Sequence, residues 1–353
     1  MAKKQEQEPA QREIAEVAPN VLRMQLPISM PGLGHVNMYA LLDENGAAVV
    51  DPGLPGPDNW RAIVDRLKQA DLRVKDVHTV VVTHSHPDHF GGAARFAKDA
   101  GAKVVAHRSF RFGVLETSDD PEVSVDDLAS KGEDDPAHRA VVRGWNHRTP
   151  WGGQHPRPPF RIQMKWRIAR FLGKSFIPQV SHPVVAGDRL QLAGREWQVS
   201  HTPGHTEDHI CLHDPEGELL LAGDHVLPSI TPHISGLSLS KDPLDNFFES
   251  LDRVAALPHV ELALPAHGNP FDDLAGRTQA IKEHHYDRLD TVKRIAREIG
   301  PGTVQAFSER LFKQRSWGAM AESETYAHLE HLRHAGEASF HRDDAGFLIY
   351  ETG

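Results

Sequence analysis

The sequence predicts an α/β fold, in which strands and helices alternate along the chain. Short runs of branched apolar residues, which are typical of buried strands, recur between residues 21 and 106. A helical pattern runs from Asp58 to Gln69, where apolar residues fall on one face. Strand, helix, strand and helix in succession indicate helices layered against a sheet.

The first strands are predicted at residues 21–26, 36–42 and 47–50. Residues 27–34 are rich in proline and glycine, so we expect a loop with exposed apolar residues. The third strand ends at Asp51, directly before a proline. Asp51 is either a turn former or a carboxylate that orients a metal-bound histidine, and its chemistry alone leaves both roles open.

The densest cluster of titratable side chains follows the strand predicted at residues 79–82. Three histidines and one aspartate occupy the segment from His84 to His89. A solvated histidine-rich loop is the alternative, since the chain contains 24 histidines. Imidazole and carboxylate groups at this density, directly after a buried strand, favour a transition-metal site, most often for zinc.

Three later strands are each followed by a turn that carries histidine or aspartate, namely His205, Asp224 and His267. Because ligands at adjacent strand ends can converge on one point, we expect these side chains to meet the first cluster. Seven protein ligands exceed the four of a closed zinc site, and they suit two metals that share a bridging carboxylate and a bridging water. The candidate metal ligands are His84, His86, Asp88, His89, His205, Asp224 and His267.

The order of these motifs resembles that of the metallo-β-lactamase superfamily over about residues 20–275. The motifs are His84-Ser85-His86-Pro87-Asp88-His89, Gly204-His205-Thr206, Gly223-Asp224-His225 and Ala266-His267-Gly268. The resemblance implies an αββα sandwich, in which two packed mixed sheets are flanked by helices and the metal site lies at one edge. It also implies that residues 16–275 form the catalytic domain.

The same resemblance implies a role for each ligand. The first metal would be bound by His84, His86 and His205, and the second by Asp88, His89 and His267. Asp224 would bridge the two metals. Asp51 matches a recurrent superfamily position, which favours its orienting role. The cofactors expected on this basis are two divalent ions, Zn²⁺ first, with iron or manganese left open.

The resemblance further implies a metal-dependent hydrolase that uses a metal-bridging hydroxide. An aspartate at the position of Asp224 is typical of glyoxalase II-like thioesterases, lactonases and nucleases, and the true β-lactamases lack it. Hydrolysis of β-lactam antibiotics is therefore not the expected activity. The apolar loop at residues 27–34 and the aromatic, basic part of a later insert suit an acyl chain with an anionic head, so we expect a carboxylic ester, thioester or lactone as substrate. Asp88 is the expected catalytic residue, which holds the nucleophile and moves a proton besides binding metal. The alternatives are a single-strand endoribonuclease or other phosphodiesterase, and a mononuclear iron sulfur dioxygenase.

An insert at about residues 109–185 interrupts the regular pattern. Residues 116–135 contain nine acidic residues and one lysine, whereas residues 139–174 contain nine lysines or arginines and no acid. The two blocks either neutralise each other on the surface or form a lid over an anionic or acyl-bearing substrate. Attachment to a membrane surface through a basic helix at residues 160–174 is a third option.

Residues 276–353 are predicted to form a winged-helix-like domain of three helices and a β-hairpin. Such a tail resembles that of the lactamase-beta-2-like branch of the superfamily, which includes single-strand RNA endonucleases. The tail carries 11 basic and 12 acidic residues, so it does not offer the cationic surface that DNA binding requires. We expect it to pack against the catalytic domain or to form a homodimer.

Composition limits the remaining choices. The formal net charge of −10 argues against a general polyanion binder. Residues 1–15 begin with a charged, polar segment and are predicted to be a disordered tail. The single cysteine, Cys211, excludes a disulfide framework and is expected in the core. We expect a cytoplasmic enzyme with a small-molecule substrate, RNA as the second choice of partner, and no stable membrane insertion.

Overall fold

The computed structural model describes residues 3–30, 32–112, 115–116, 149–153, 164 and 176–353. The strands before the long insert and just after it are β1 Ala15–Ala18, β2 Val21–Met30, β3 Leu33–Asp43, β4 Gly46–Val50, β5 Val77–Val81, β6 Lys103–His107, β7 Arg111–Phe112, β8 Leu115–Glu116 and β9 His182–Val184. The later strands are β10 Arg189–Leu192, β11 Arg195–His201, β12 Ile210–Asp214, β13 Leu219–Gly223, β14 Leu262–Pro265, β15 Gly302–Thr303, β16 Ala338–Arg342 and β17 Leu348–Thr352. The α-helices are α1 Pro57–Gln69, α2 Pro87–Phe90, α3 Ala93–Ala100, α4 Pro243–Ala255, α5 Leu274–Ile299, α6 Val304–Leu311 and α7 Ala319–His334.

Two mixed sheets form the middle of the molecule. The first has the order β1-β2-β3-β4-β5-β6-β9, antiparallel as far as β4 and parallel from β4 to β9. The second has the order β10-β11-β12-β13-β14 and is antiparallel except for the pair β13 and β14. Helices cover the outer face of each sheet, so the predicted α/β sandwich of two packed mixed sheets is confirmed.

Alternation along strand β3 explains why the sheets pack in this way. Met38 belongs to the outer core, which it shares with Trp60 of helix α1. Its neighbour Tyr39 points to the opposite face and belongs to the core between the sheets, together with Trp197 of strand β11. Because successive side chains of a strand point to opposite faces, each strand of a sheet buried on both sides must be apolar throughout. For this reason the central strands appear in the sequence as continuous runs of apolar residues.

The structure corrects the expected disordered tail for residues 3–15. A short 3-10 turn, Gln5–Gln7, lies against the rest of the protein, and Glu6 is fully buried. The Glu6 carboxylate accepts hydrogen bonds from the backbone N–H groups of Ser229 (2.7 Å) and Ile230 (3.0 Å). Buried backbone donors need partners, and here an acidic residue of the polar segment supplies one. Charge along the sequence therefore did not indicate disorder.

The loop expected at residues 27–34 is also wrong, because most of it is strand. Strand β2 continues to Met30 and strand β3 begins at Leu33, so the two form one long hairpin. Gly32 has a φ of 87°, which a glycine adopts readily and which allows the chain to reverse there. The proline and glycine residues of this segment that the structure describes therefore belong to a tight turn and to the two strands that flank it.

The C-terminal residues contain three helices, α5 to α7, and a small sheet of order β15-β17-β16. The Thr303 hydroxyl accepts a hydrogen bond from the N–H of Ala306 and so caps helix α6. Apolar residues of these helices share one core with helix α4 and with the outer face of the second sheet. The boundary at residue 276 and the winged-helix-like character remain predictions.

The acidic and basic blocks of the insert lie largely outside the described residues. One described part of it, residues 149–153, packs on the C-terminal region. The indole of Trp151 packs against the ring of Tyr326, with 5.0 Å between the ring centroids, and its N–H donates to a carboxylate oxygen of Glu322 at 3.0 Å. The Trp151 carbonyl accepts from the N–H of Leu348 at 3.1 Å. Within the described ranges, no helix combines the length and the apolar character that a bilayer crossing requires.

Candidate metal centre

The ends of parallel strands in the two sheets meet at one edge of the sandwich. Strand β5 is followed by His84, strand β13 by Asp224 and strand β14 by His267. Helix α2, which follows the turn after β5, carries Asp88 and His89. The turn after strand β11 adds His205. The structure thus brings all seven predicted ligands together at the edge where we expected them.

Four of these side chains form a first group, in which the ligand atoms lie within 4.8 Å of one another. Nδ1 of His86 lies 3.0 Å from Nε2 of His84 and 3.1 Å from Nε2 of His205. Oδ2 of Asp224 lies 3.5 Å from Nε2 of His205. The group therefore points three imidazole nitrogens and one carboxylate oxygen at a common position.

Asp88, His89 and His267 form a second group of three side chains, whose ligand atoms also lie within 4.8 Å of one another. Oδ2 of Asp88 lies 3.6 Å from Nε2 of His89 and 3.6 Å from Nε2 of His267. Asp224 connects the two groups, since its Oδ2 lies 3.6 Å from Nε2 of His89 and its Oδ1 lies 3.3 Å from Nε2 of His267. One carboxylate thus contacts histidines of both groups, as a bridging ligand would.

Buried polar atoms without partners show that these residues fit metal ions. Nε2 of His89, Nε2 of His267 and Oδ1 of Asp224 are buried and have no hydrogen-bond partner. Buried polar atoms are rarely left unpaired in proteins, and a cation between them would satisfy all three. The donor set of imidazole nitrogens and carboxylate oxygens suits zinc, and it also suits iron or manganese.

Asp51 orients a histidine in each group. Its Oδ1 accepts a hydrogen bond from the N–H of Thr83 at 2.8 Å, and its Oδ2 accepts from the Thr83 hydroxyl at 2.7 Å. The same Oδ2 lies 2.9 Å from Nδ1 of His89, and the Thr83 hydroxyl lies 3.0 Å from Nδ1 of His84. These contacts turn the Nε2 lone pairs of both rings toward the metal positions. The orienting role that the sequence left open is therefore the one that the geometry supports.

Two other ligands are oriented by backbone carbonyls. Nδ1 of His205 donates to the carbonyl of His233 at 2.7 Å, and Nδ1 of His267 donates to the carbonyl of His35 at 2.6 Å. Each contact places the ring proton on Nδ1 and leaves Nε2 free to bind a cation. Neither His233 nor His35 stands near its partner in the sequence, so only the fold reveals these pairs.

The electrostatic environment of the site determines the protonation states of the candidate ligands. Burial, aided by neighbouring histidines of the site, lowers the pKa of His84 and of His86 well below the ordinary value, which keeps both rings neutral. Burial opposes the charged form of Asp224, but His267 and His89 outweigh it and lower the pKa of Asp224 well below its usual range. The neutral rings of His84 and His86 and the ionised Asp224 are in the protonation states that metal binding needs. Burial opposes the charged forms of His89 and His267, but Asp88 and Asp224 outweigh it and raise the pKa of both rings, so a metal ion binds there by displacing a proton.

Sequence reasoning missed two buried residues beside the ligands. Nε2 of His209 accepts a hydrogen bond from the N–H of Asp224 at 3.0 Å, and its Nδ1 lies 2.7 Å from the Thr202 hydroxyl. His209 therefore holds the backbone of the bridging aspartate. Asp208 accepts a hydrogen bond from Ser85 at 3.0 Å, and burial raises the pKa of its carboxyl to about 6. The sequence offered one indication of their role, which is that Asp208 and His209 follow the predicted ligand His205 by only three and four positions.

Cys211 lies in the core, as expected, and its thiol lies 3.4 Å from the Ala222 carbonyl. Burial raises the pKa of this thiol to about 12, so little thiolate exists near neutral pH. We predict that native protein at pH 8 reacts with a disulfide reagent such as DTNB at well under one thiol per chain. One thiol per chain should react after unfolding in urea, and rapid reaction of the native protein would place Cys211 at the surface.

A family model described as "Metallo-beta-lactamase superfamily" matches residues 31–267 of the chain. This range contains all seven candidate ligands and ends on His267.

Individual relatives extend the similarity beyond the range of the family model, over about nine tenths of the chain or more. The chain is 23% identical over 341 residues to "Probable metallo-hydrolase YqjP" of Bacillus subtilis (strain 168), covering 89% of this chain and 92% of that protein. The crystal structure of a metallo-beta-lactamase family protein from Thermus thermophilus superimposes with a TM-score of 0.70 at 28% identity, covering 96% of this chain and 100% of that one.

A shorter and closer match links the chain to "Hydroxyacylglutathione hydrolase" of Rhizobium meliloti (strain 1021). It is 38% identical over 84 residues, which are 24% of this chain and 31% of that protein. The chain therefore spans less than a third of that relative's length, and the match concerns a part of the fold.

Proposed function

The chain belongs to the metallo-β-lactamase superfamily, and on that premise we propose that it is a dinuclear metal-dependent hydrolase of a carboxylic ester, thioester or lactone. The position of Asp224 between the two ligand groups carries this proposal. Its two oxygens face His267 at 3.3 Å and His205 at 3.5 Å. A carboxylate in that position supports two ions close together, and such a pair promotes hydrolysis. Zinc is the ion that we propose first.

Each part of the proposed chemistry has residues to perform it. Two divalent ions, when bound, make a water acidic enough to act as a nucleophile near neutral pH and polarise the oxygen of the electrophile. Oδ2 of Asp88 faces His89 and His267, so Oδ1 is the atom left to hold the attacking water and accept its proton. The hydrogen bonds that Asp51 accepts keep His89 in place while this proton moves.

The substrate class has support from a relative and from the structure. The local match to a protein named hydroxyacylglutathione hydrolase supports a thioester, since that name describes thioester hydrolysis. The tip of the hairpin of β2 and β3 lies near His267, because the backbone carbonyl of His35, close to the start of β3, accepts a hydrogen bond from Nδ1 of that ligand. Met30 at its tip is 40% exposed, which offers apolar surface to an acyl group. An anionic head group on the substrate remains an inference from the basic block of the insert.

An assay of purified, zinc-loaded protein tests this proposal. We expect hydrolysis of acyl thioesters, aryl esters or lactones, and a loss of kcat/KM of at least about a hundredfold in His86→Ala, because a ligand matters more than the residues that orient it. His78→Ala is the matched control, since His78 lies on strand β5 but pairs with Asp43 at 3.0 Å, away from the site.

The same assay separates the alternatives. Cleavage of single-stranded RNA that disappears in His86→Ala, without activity on any ester, would favour the endoribonuclease. One iron per chain together with oxygen uptake would favour the sulfur dioxygenase. Two zinc ions per chain and no turnover of any carboxylic substrate would contradict the proposed substrate class.

A further inference from the structure

A chain of contacts connects the C-terminal helices to the first ligand group. We propose that Glu324 and His233 are positioning residues for His205: Glu324 on helix α7 holds the His233 ring, and the His233 carbonyl fixes the ring of the ligand. This inference rests on the dinuclear centre proposed above. It gives the C-terminal region a part in that centre.

The first contact is between the ligand and the carbonyl. The His233 carbonyl accepts the Nδ1 proton of His205 at 2.7 Å, across 28 positions of sequence. With Nδ1 held in this way, Nε2 of His205 lies 3.1 Å from Nδ1 of His86. A shift of the carbonyl would rotate the ring and move Nε2 away from the other ligand atoms. The geometry of the first ligand group thus depends on the position of the His233 backbone carbonyl.

The second contact holds residue 233 itself. Nδ1 of the His233 ring lies 3.2 Å from Oε2 of Glu324. Glu324 also forms an ion pair with Arg288 of helix α5, and both of these side chains are largely buried. Burial opposes the charge of Glu324, but His233 and Arg288 outweigh it and lower the pKa of this carboxyl well below its usual range. A buried carboxylate paired on both sides has little freedom to move, so it is a firm anchor.

A third contact prevents the segment from pivoting about residue 233. The N–H of Gly236 donates to the Ser323 hydroxyl at 3.0 Å and lies 3.2 Å from the Ser323 carbonyl. A Cβ atom at Gly236 would lie 2.5 Å from the Tyr326 ring, so only glycine allows the chain to approach helix α7 this closely. The chain is therefore held at two positions, residues 233 and 236, and these two contacts together fix the direction of the His233 carbonyl.

The residues of helices α5 and α7 that hold this segment lie outside the part of the chain that the family model matches. Glu324, Ser323 and Arg288 all follow residue 267, where that match ends. By contrast, the orienting residues Asp51 and His209 lie within it. Membership of the family does not require the C-terminal helices to support a ligand, and in this protein their contacts do so.

His233→Ala tests the inference, because it removes the ring that Glu324 holds and leaves the carbonyl and the Glu324–Arg288 pair in place. We expect the affinity for one of two zinc equivalents, measured by competition with a chromogenic chelator, to fall about tenfold or more. The affinity for the other equivalent should stay unchanged. The visible spectrum of the cobalt-substituted protein should change in the same variant.

His331→Ala is the matched control. It removes another contact between a histidine and a carboxylate that involves helix α7, since His331 pairs with Asp242 at 3.0 Å and touches no ligand. We expect both zinc equivalents to bind this control as they bind the wild type. An equal loss in the two variants would show a general effect of the helix and would overturn the inference.

Glu324→Gln is a second variant that keeps the side-chain volume and removes its charge. It should weaken the same zinc equivalent as His233→Ala, measured on protein whose circular dichroism matches that of the wild type. Wild-type affinity in both variants would overturn the inference. Wild-type protein that binds two zinc ions but hydrolyses no ester, thioester or lactone would refute the substrate class alone, because the expected loss is in metal affinity.

Discussion

Asp224→Asn is expected to release at least one of two bound metal ions and to lower kcat/KM at least about a hundredfold. Asparagine keeps the shape of the side chain but loses the negative charge that faces both ligand groups. Oδ1 of Asp224 is buried without a hydrogen-bond partner, and Oδ2 lies 3.6 Å from His89. Residues that only orient a ligand already contribute about ten- to a hundredfold to metal affinity or activity, and a bridging ligand contributes more.

Metal content after dialysis, measured by elemental analysis, together with steady-state kinetics, checks this expectation. Asp208→Asn is the matched control, because Asp208 is a buried aspartate close to the site whose described contact is with Ser85. The control should retain two metal ions per chain. Two tightly bound ions in Asp224→Asn would contradict the bridging role.

Trp151→Ala is expected to lower the free energy of unfolding by about 3–5 kcal/mol, the usual cost of removing a large buried aromatic side chain. Trp151 is 3% exposed, packs on Tyr326 and donates a hydrogen bond to Glu322. It also belongs to the same core as residues of the second sheet, such as Leu220. A single tryptophan of the insert thus joins the insert to the C-terminal region and the sandwich.

Urea unfolding followed by circular dichroism measures this effect. Trp317→Ala is the matched control, since Trp317 lies in the same C-terminal region but is 44% exposed, and we expect it to change stability by no more than about 0.5 kcal/mol. Equal stability losses in the two variants would contradict the buried anchoring role of Trp151.

The metal ligands could be predicted from the sequence because of the way in which strands end in α/β folds. A buried strand appears in the sequence as a run of branched apolar residues, and the polar residue that follows the run lies at the edge of the sheet. His84, Asp224 and His267 each follow such a run, so their convergence was predictable from periodicity. The roles of individual ligands came from the resemblance of their motifs to the superfamily.

Local composition was a weaker guide where tertiary contacts decide structure. Glu6 is charged, as in a disordered tail, yet it is buried because Ser229 and Ile230 offer N–H groups that need an acceptor. Pro27 suggested a loop, yet the segment is strand because it pairs with residues of β3. In both cases the deciding partner lies at a distance that local reasoning does not include.

By itself, the sequence determined the α/β class, the seven candidate ligands and the apolar strands that bring them to one edge. Those features depend on periodicity and on residues adjacent to each strand, which the order of the chain records directly. Only the tertiary structure decided which groups orient the ligands: the Asp51 carboxylate, the His35 and His233 carbonyls, and Glu324 behind His233. The physical reason is that a hydrogen bond needs atoms within about 3 Å, and backbone carbonyls leave no residue-specific mark in a sequence.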